Sequence, residues 1–174
     1  MVSLQGLVAI CAAVPATTLI WAGDVKLWNP GPASVALTRF GLVKRIRRST
    51  ARAAGGLELV AGGTLVTFPY SPAAYALPIG LLVLFTSLLA RVVTRGETFS
   101  CACFGASDEP IGPSTLARTA TMLALAAFAL LVLLVARPDE SAPATRFAVS
   151  AAVVLALATV SLATAIRATR PFAD

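Results

Sequence analysis

Four long runs of this chain carry no charged side chain: Met1–Gly23, Leu59–Ala90, Thr119–Ala136 and Phe147–Ile166. A helix that crosses a bilayer needs about 20 mostly apolar residues, within a range of about 17–25. Leu59–Ala90 is too long for one such helix and too short for two with an ordinary loop. Pro69, Ser71 and Pro72 divide it, because proline ends helices and this cluster favours a turn. The expected helices are therefore Met1–Gly23, Arg52–Phe68, Ala73–Val93, Thr119–Ala136 and Phe147–Ile166. Segments apolar on all sides satisfy their backbone hydrogen bonds in lipid as helices, and the alternation of a barrel strand is absent. The expected fold class is all-α, an integral membrane helical bundle of four to five transmembrane helices. The second helix is the least apolar, holding Gly55, Gly56, Gly62, Gly63 and Glu58. The first is read as retained rather than cleaved as a signal peptide, since no Lys or Arg precedes its long apolar stretch.

Composition agrees. The chain is 57% hydrophobic and 13% charged, against about 45–50% and about 25% in a soluble domain. Its net charge of +6 suggests nucleic acid until the positions are read. Asp24–Arg52 carries all of it, with Lys26, Arg39, Lys44, Arg45, Arg47, Arg48 and Arg52 against Asp24. That is one basic loop, so the expected partner is membrane lipid and not nucleic acid. Positive loops stay in the cytoplasm, which places the N-terminus and the Pro69–Pro72 turn outside and Val93–Arg118 inside. Lys44–Arg48 is also dense enough to touch anionic lipid. The expected location is the cell membrane, as a multi-pass protein. The sequence contains no histidine, which removes a Ser-His-Asp triad and His-ligated haem or zinc.

The stretch most suggestive of chemistry is Cys101-Ala102-Cys103-Phe104-Gly105, between two expected helices and near Glu97, Asp108 and Glu109. Two thiols one residue apart close a small disulfide ring that is rarely relaxed. Strained or exposed disulfides are the more oxidising and labile ones. Redox exchange is the favoured reading; S-acylation and two inert thiols compete with it. A structural zinc site needs four ligands, which this chain alone does not supply, and an iron–sulfur site fails for the same reason. Ser114 is expected to cap the following helix. Cys11, deep in the first apolar run, reads as a small packing residue, with a resolving thiol as the alternative. Glu58 is the second candidate, because a carboxylate in a span tends to face the bundle interior and a partner. Gly55, Glu58 and Gly62 fall on one helical face, where small residues let another helix approach. The competing account pairs Glu58 with Arg52 or water near a helix end. Arg118 is either its counter-ion, a group that lowers a thiol pKa, or a border arginine.

The arrangement resembles the methylamine utilisation protein MauE family, related to the DoxX-like membrane proteins. The resemblance rests on Gly23-Asp24-Val25-Lys26-Leu27-Trp28-Asn29-Pro30 after the first helix, and on Leu57-Glu58-Leu59 with its glycines in the second. It continues in Cys101-Ala102-Cys103-Phe104-Gly105 and in Leu116-Ala117-Arg118-Thr119. It spans roughly Val2–Ala136, so 1–136 is expected to form a MauE/DoxX-like domain. A polar connector at 137–145 and an additional helix with a short tail at 146–174 would follow. The family is linked to the processing, transport or maturation of the disulfide-rich small subunit of methylamine dehydrogenase outside the cytoplasm. The resemblance implies a redox-associated role, a thiol pair at Cys101 and Cys103, a lysine at Lys26 and a membrane glutamate at Glu58. A thioredoxin-like protein or an exported client would be the partner. No cofactor is expected in this reading.

Two alternatives are a non-enzymatic membrane assembly subunit and a quinone-linked oxidoreductase resembling vitamin K epoxide reductase. The latter's usual Cys-x-x-Cys is absent here. A small-solute transporter ranks last, since no two similar halves are present. The charge-based topology leaves one conflict, with the cysteine loop inside and disulfide maturation outside. A re-entrant second segment would remove it by moving the cysteine loop to the other side from the basic loop.

Overall fold

The computed structural model describes residues 4–42, 45, 47–97, 99 and 111–136. The expected connector at 137–145 and the expected helix Phe147–Ile166 lie outside the described residues. Within them the chain forms α1 (Leu4–Trp28), α2 (Pro30–Arg39), α3 (Arg48–Thr67), a 3-10 turn at Pro72–Tyr75, α4 (Ala76–Thr94) and α5 (Pro113–Ala136). All the regular structure described is helical. Three helices are long and apolar enough to cross a membrane: Leu4–Trp28, Pro72–Thr94 and Pro113–Val135. α3 has 20 residues, about 30 Å at a rise of ~1.5 Å per residue, but its glycines and charges keep it below that apolarity.

The basic segment, expected to be a loop, contains α2. Pro30 opens this helix with a backbone angle already suited to it. Ala33, Ser34 and Ala36 then give it a small buried face. Gly41, at φ 75°, ends it: Gly41 N–H donates to Thr38 O and Leu42 N–H to Leu37 O, satisfying the last carbonyls. α4 ends the same way at Gly96, φ 65°, with Gly96 N–H on Val93 O and Glu97 N–H on Val92 O. α5 begins at Pro113, so Ser114 sits inside its first turn rather than capping it. Proline at the first helical position explains the earlier start.

α1, α3, α4 and α5 run alternately up and down. Falling numbers on α1 meet rising numbers on α3: Lys26 and Gly23 lie against Gly55, and Ile20 and Ala16 against Gly62. α5 packs against both α1 and α4. The buried apolar residues form three levels. At one end Val8, Cys11, Leu65, Tyr75, Ala129 and Leu133 cluster; Leu19, Ala61 and Leu81 fill the middle. Ala36, Leu89, Val92, Phe99 and Ile111 close the other end, which also carries α2 and is called the basic end below.

α3 is unbroken along α1. The Phe40 and Phe99 rings, one after α2 and one before the cysteine stretch, meet edge to face at 5.4 Å. The basic segment and the entry to the cysteine loop therefore share one end of the bundle.

Candidate functional site

Lys26 comes from the last turn of α1 and Glu58 from the middle of α3. Glycine brings them together. At Gly23 and Gly55 the two backbones pass so closely that a Cβ on either would stand 2.6–2.7 Å from the other's carbonyl oxygen. At that separation the Lys26 ammonium reaches both Glu58 oxygens, Oε1 at 2.9 Å and Oε2 at 2.7 Å. Its third donor points to Ala22 O at 3.4 Å, so every ammonium N–H has an acceptor. The Phe85 ring centroid lies 5.9 Å from Nζ. Both side chains are shielded, 7% and 1% exposed.

The face predicted from spacing is present: Gly55, Glu58 and Gly62 are buried on the α1 side, while Gly56 and Gly63 meet open space. The partner of Glu58 is Lys26. Of the other groups weighed for that role, Arg52 and Arg118 are both exposed, with Arg118 placed near the start of α5. Beside the pair is a cavity of about 20 Å³, lined by Thr18, Leu19, Glu58, Phe85, Leu89 and Thr119. That is the volume of about one water molecule, but the exposed lining is almost wholly apolar, and apolar cavities of this kind stay dry. Both hydroxyls donate to carbonyls of their own helices, Thr18 to Val14 O at 2.8 Å and Thr119 to Thr115 O at 3.0 Å. Thr119 was not singled out in the sequence, because a threonine in an apolar helix gives no signal of which way it faces.

Cys101 and Cys103 lie outside the described residues. The residues that bracket their loop are described. Ile111 N–H donates to Phe99 O at 2.9 Å, and both side chains are buried in the basic-end cluster. The Arg39 guanidinium stands over the Phe99 ring at 5.2 Å. The loop thus leaves and re-enters the bundle at a fixed point against α2 and α4. Cys11 is buried in the cluster at the far end. It precedes Lys26 by about four helical turns, roughly 22 Å at ~1.5 Å per residue. Among the described residues no three His, Cys, Asp or Glu side chains come together to hold a metal ion.

A family model described as Methylamine utilisation protein MauE matches residues 4–134. The chain belongs to the MauE family. No curated protein and no solved structure matches it. The MauE match takes in all four long helices, Lys26, Glu58, both loop cysteines and Arg118, and ends before the segment 137–174. Family membership suggests a membrane protein in methylamine utilisation.

Proposed function

We propose that this MauE protein is an integral membrane thiol–disulfide redox protein, with Cys101 and Cys103 as the exchanging pair, serving the maturation of an exported disulfide-containing protein. The observation that carries this is the family match through the cysteine stretch, combined with a loop whose two ends are pinned at Phe99 and Ile111. We read α1, α3, α4 and α5 as four spans, with Phe147–Ile166 as a fifth. The basic end then faces the cytoplasm. There the pair meets a thioredoxin-like protein.

The exchange is balanced without a cofactor. One cysteine thiolate attacks a partner disulfide; that S–S bond breaks, a mixed disulfide forms, and a partner thiolate leaves. The second cysteine, as thiolate, attacks the mixed disulfide. The chain ends with a Cys101–Cys103 disulfide and the partner with two thiols, so two electrons have passed to the partner. The reverse sequence oxidises a dithiol client.

Cys101→Ser and Cys103→Ser are each expected to abolish client disulfide exchange, while one of the two traps a mixed disulfide visible on a non-reducing gel. Full function in the double variant overturns the reading. A second reading, a non-enzymatic assembly subunit, draws on the close α1–α3 contact and the buried ion pair; it has no place for a trapped mixed disulfide. Sidedness is tested on a Cys11→Ala background with a membrane-impermeant maleimide. The label is expected to reach the loop thiols only after spheroplasts are lysed, with reductant present. Labelling of intact spheroplasts would place the basic end outside.

A further inference from the structure

We infer that a cleft between the C-terminal ends of α2 and α4 is a binding site for a phosphate group, supplied either by the headgroup of an anionic lipid or by a soluble phosphate. Its walls are Arg39 and Phe40 from the end of α2, and Leu88, Arg91, Val92 and Arg95 from α4, with Glu97 at the rim. The space between them is about 70 Å³, larger than the cavity at Glu58.

Three arginines line this cleft against one glutamate. Among the described residues no carboxylate forms an ion pair with Arg39, Arg91 or Arg95; the ion pair found is Lys26 with Glu58. Arg91 and Arg95 stand one turn apart on the same helix face, where like charges repel. Helix C-termini favour a cation each, which accounts for Arg39 and Arg91 singly. It does not account for three arginines from two helices facing one cleft. The Arg39 guanidinium stands over the buried Phe99 ring at 5.2 Å, a contact that favours one placement of its head group. Guanidinium forks match phosphate oxygens in paired hydrogen bonds, which makes arginine the residue type suited to that anion.

The depth also fits. Arg91 lies in the last turn of the apolar helix that ends at Thr94, and Trp28, 84% exposed, ends α1 at the same side of the bundle. Tryptophan and arginine both settle at headgroup level. A lipid phosphate would reach the cleft there with its chains along α4. This inference does not depend on the redox reading, and its test involves neither cysteine.

The experiment uses the full chain, purified in neutral detergent and reconstituted in nanodiscs of phosphatidylglycerol or of phosphatidylcholine, then released for native mass spectrometry. The wild type is expected to retain phosphatidylglycerol. Arg39→Gln/Arg91→Gln/Arg95→Gln should retain about tenfold less, the loss of at least one charge-assisted contact. Arg45→Gln/Arg47→Gln/Arg48→Gln, which removes the same charge from the segment dense enough to touch anionic lipid without a cleft, should lose clearly less phosphatidylglycerol than the cleft variant. A parallel arm follows the melting midpoint in detergent with inorganic phosphate or with chloride at equal ionic strength. A phosphate-dependent rise that the cleft variant lacks, without lipid retention, assigns the site to a soluble phosphate. All three cleft arginines are exposed, so the variants should melt with the wild type in detergent alone. Equal retention by the cleft variant, or equal loss in both triple variants, with no phosphate effect on melting, overturns the site.

Discussion

Glu58→Gln is expected to destabilise the bundle by about 3–5 kcal/mol, the cost of leaving a buried charge without its partner. The amide still accepts one hydrogen bond from Lys26, but the ammonium loses its counter-charge where almost no water reaches it. Lys26→Met leaves the carboxylate stranded in the same way and should cost a similar amount. An exposed pair would shift stability by less than about 1 kcal/mol, so the size of the effect is itself the test of burial. The melting midpoint in detergent is the measurement. A Glu58→Gln variant that melts with the wild type would mean that Lys26 and Glu58 are not joined as described.

The double variant Lys26→Met/Glu58→Met separates stability from function. Replacing a whole buried ion pair with apolar groups of similar size is often neutral or stabilising, because the desolvation of both charges disappears together. Most of the lost stability should therefore return, a coupling between the two sites that single variants cannot reveal. Thiol exchange should not return with it. Ionic groups inside a membrane bundle are costly to keep, and packing alone does not require them. Full exchange activity in the double variant would reduce the pair to a packing device and leave the loop thiols as the whole of the site.

The long helices were legible because their signal is collective. Each uncharged run of the sequence that falls on described residues became a helix, and Pro69–Pro72 marked the one break inside a continuous apolar stretch. α2 was not legible, since its ten residues lie among basic and turn-forming ones. What makes it a helix is tertiary: Ala36 packs into the cluster with Leu89, Val92 and Phe99. The same cluster puts Phe99 and Ile111, the residues that bracket the cysteine stretch, at the basic end. Glu58 and its glycine face were read from spacing alone. Its partner was not, because Lys26 lies 32 residues away and a lone lysine at a helix end usually reads as a border residue. Only the family resemblance singled it out in the sequence. Thr119 and the Arg39–Phe99 contact are set by how α5 and the α2 end sit, which no local pattern encodes.

Adjacent glycines on α3 should respond to alanine with opposite signs. At Gly62 a Cβ would lie 2.5 Å from Ile20 Cγ1 and 2.7 Å from Ala16 O. The isoleucine can rotate away, but the backbone oxygen moves only if the helices separate. At Gly55 the obstacles are Gly23 O at 2.7 Å and Lys26 Cβ at 2.9 Å. Gly62→Ala and Gly55→Ala should each cost about 1–3 kcal/mol, the usual penalty for an overfilled contact. Gly56 and Gly63 have nothing within 4 Å of a Cβ. There alanine only removes the backbone freedom of glycine, and a gain of about 0.5–1 kcal/mol is expected. Melting midpoints of the four variants decide it. A Gly63→Ala loss as large as that of Gly62→Ala would show that α1 and α3 do not meet on this face. Gly55→Ala carries a further consequence, because widening the contact there also draws Lys26 from Glu58. Part of its cost is thus electrostatic, and it should fall in the Lys26→Met/Glu58→Met background. The cost of Gly62→Ala, farther along the helix from the pair, should remain the same in both backgrounds.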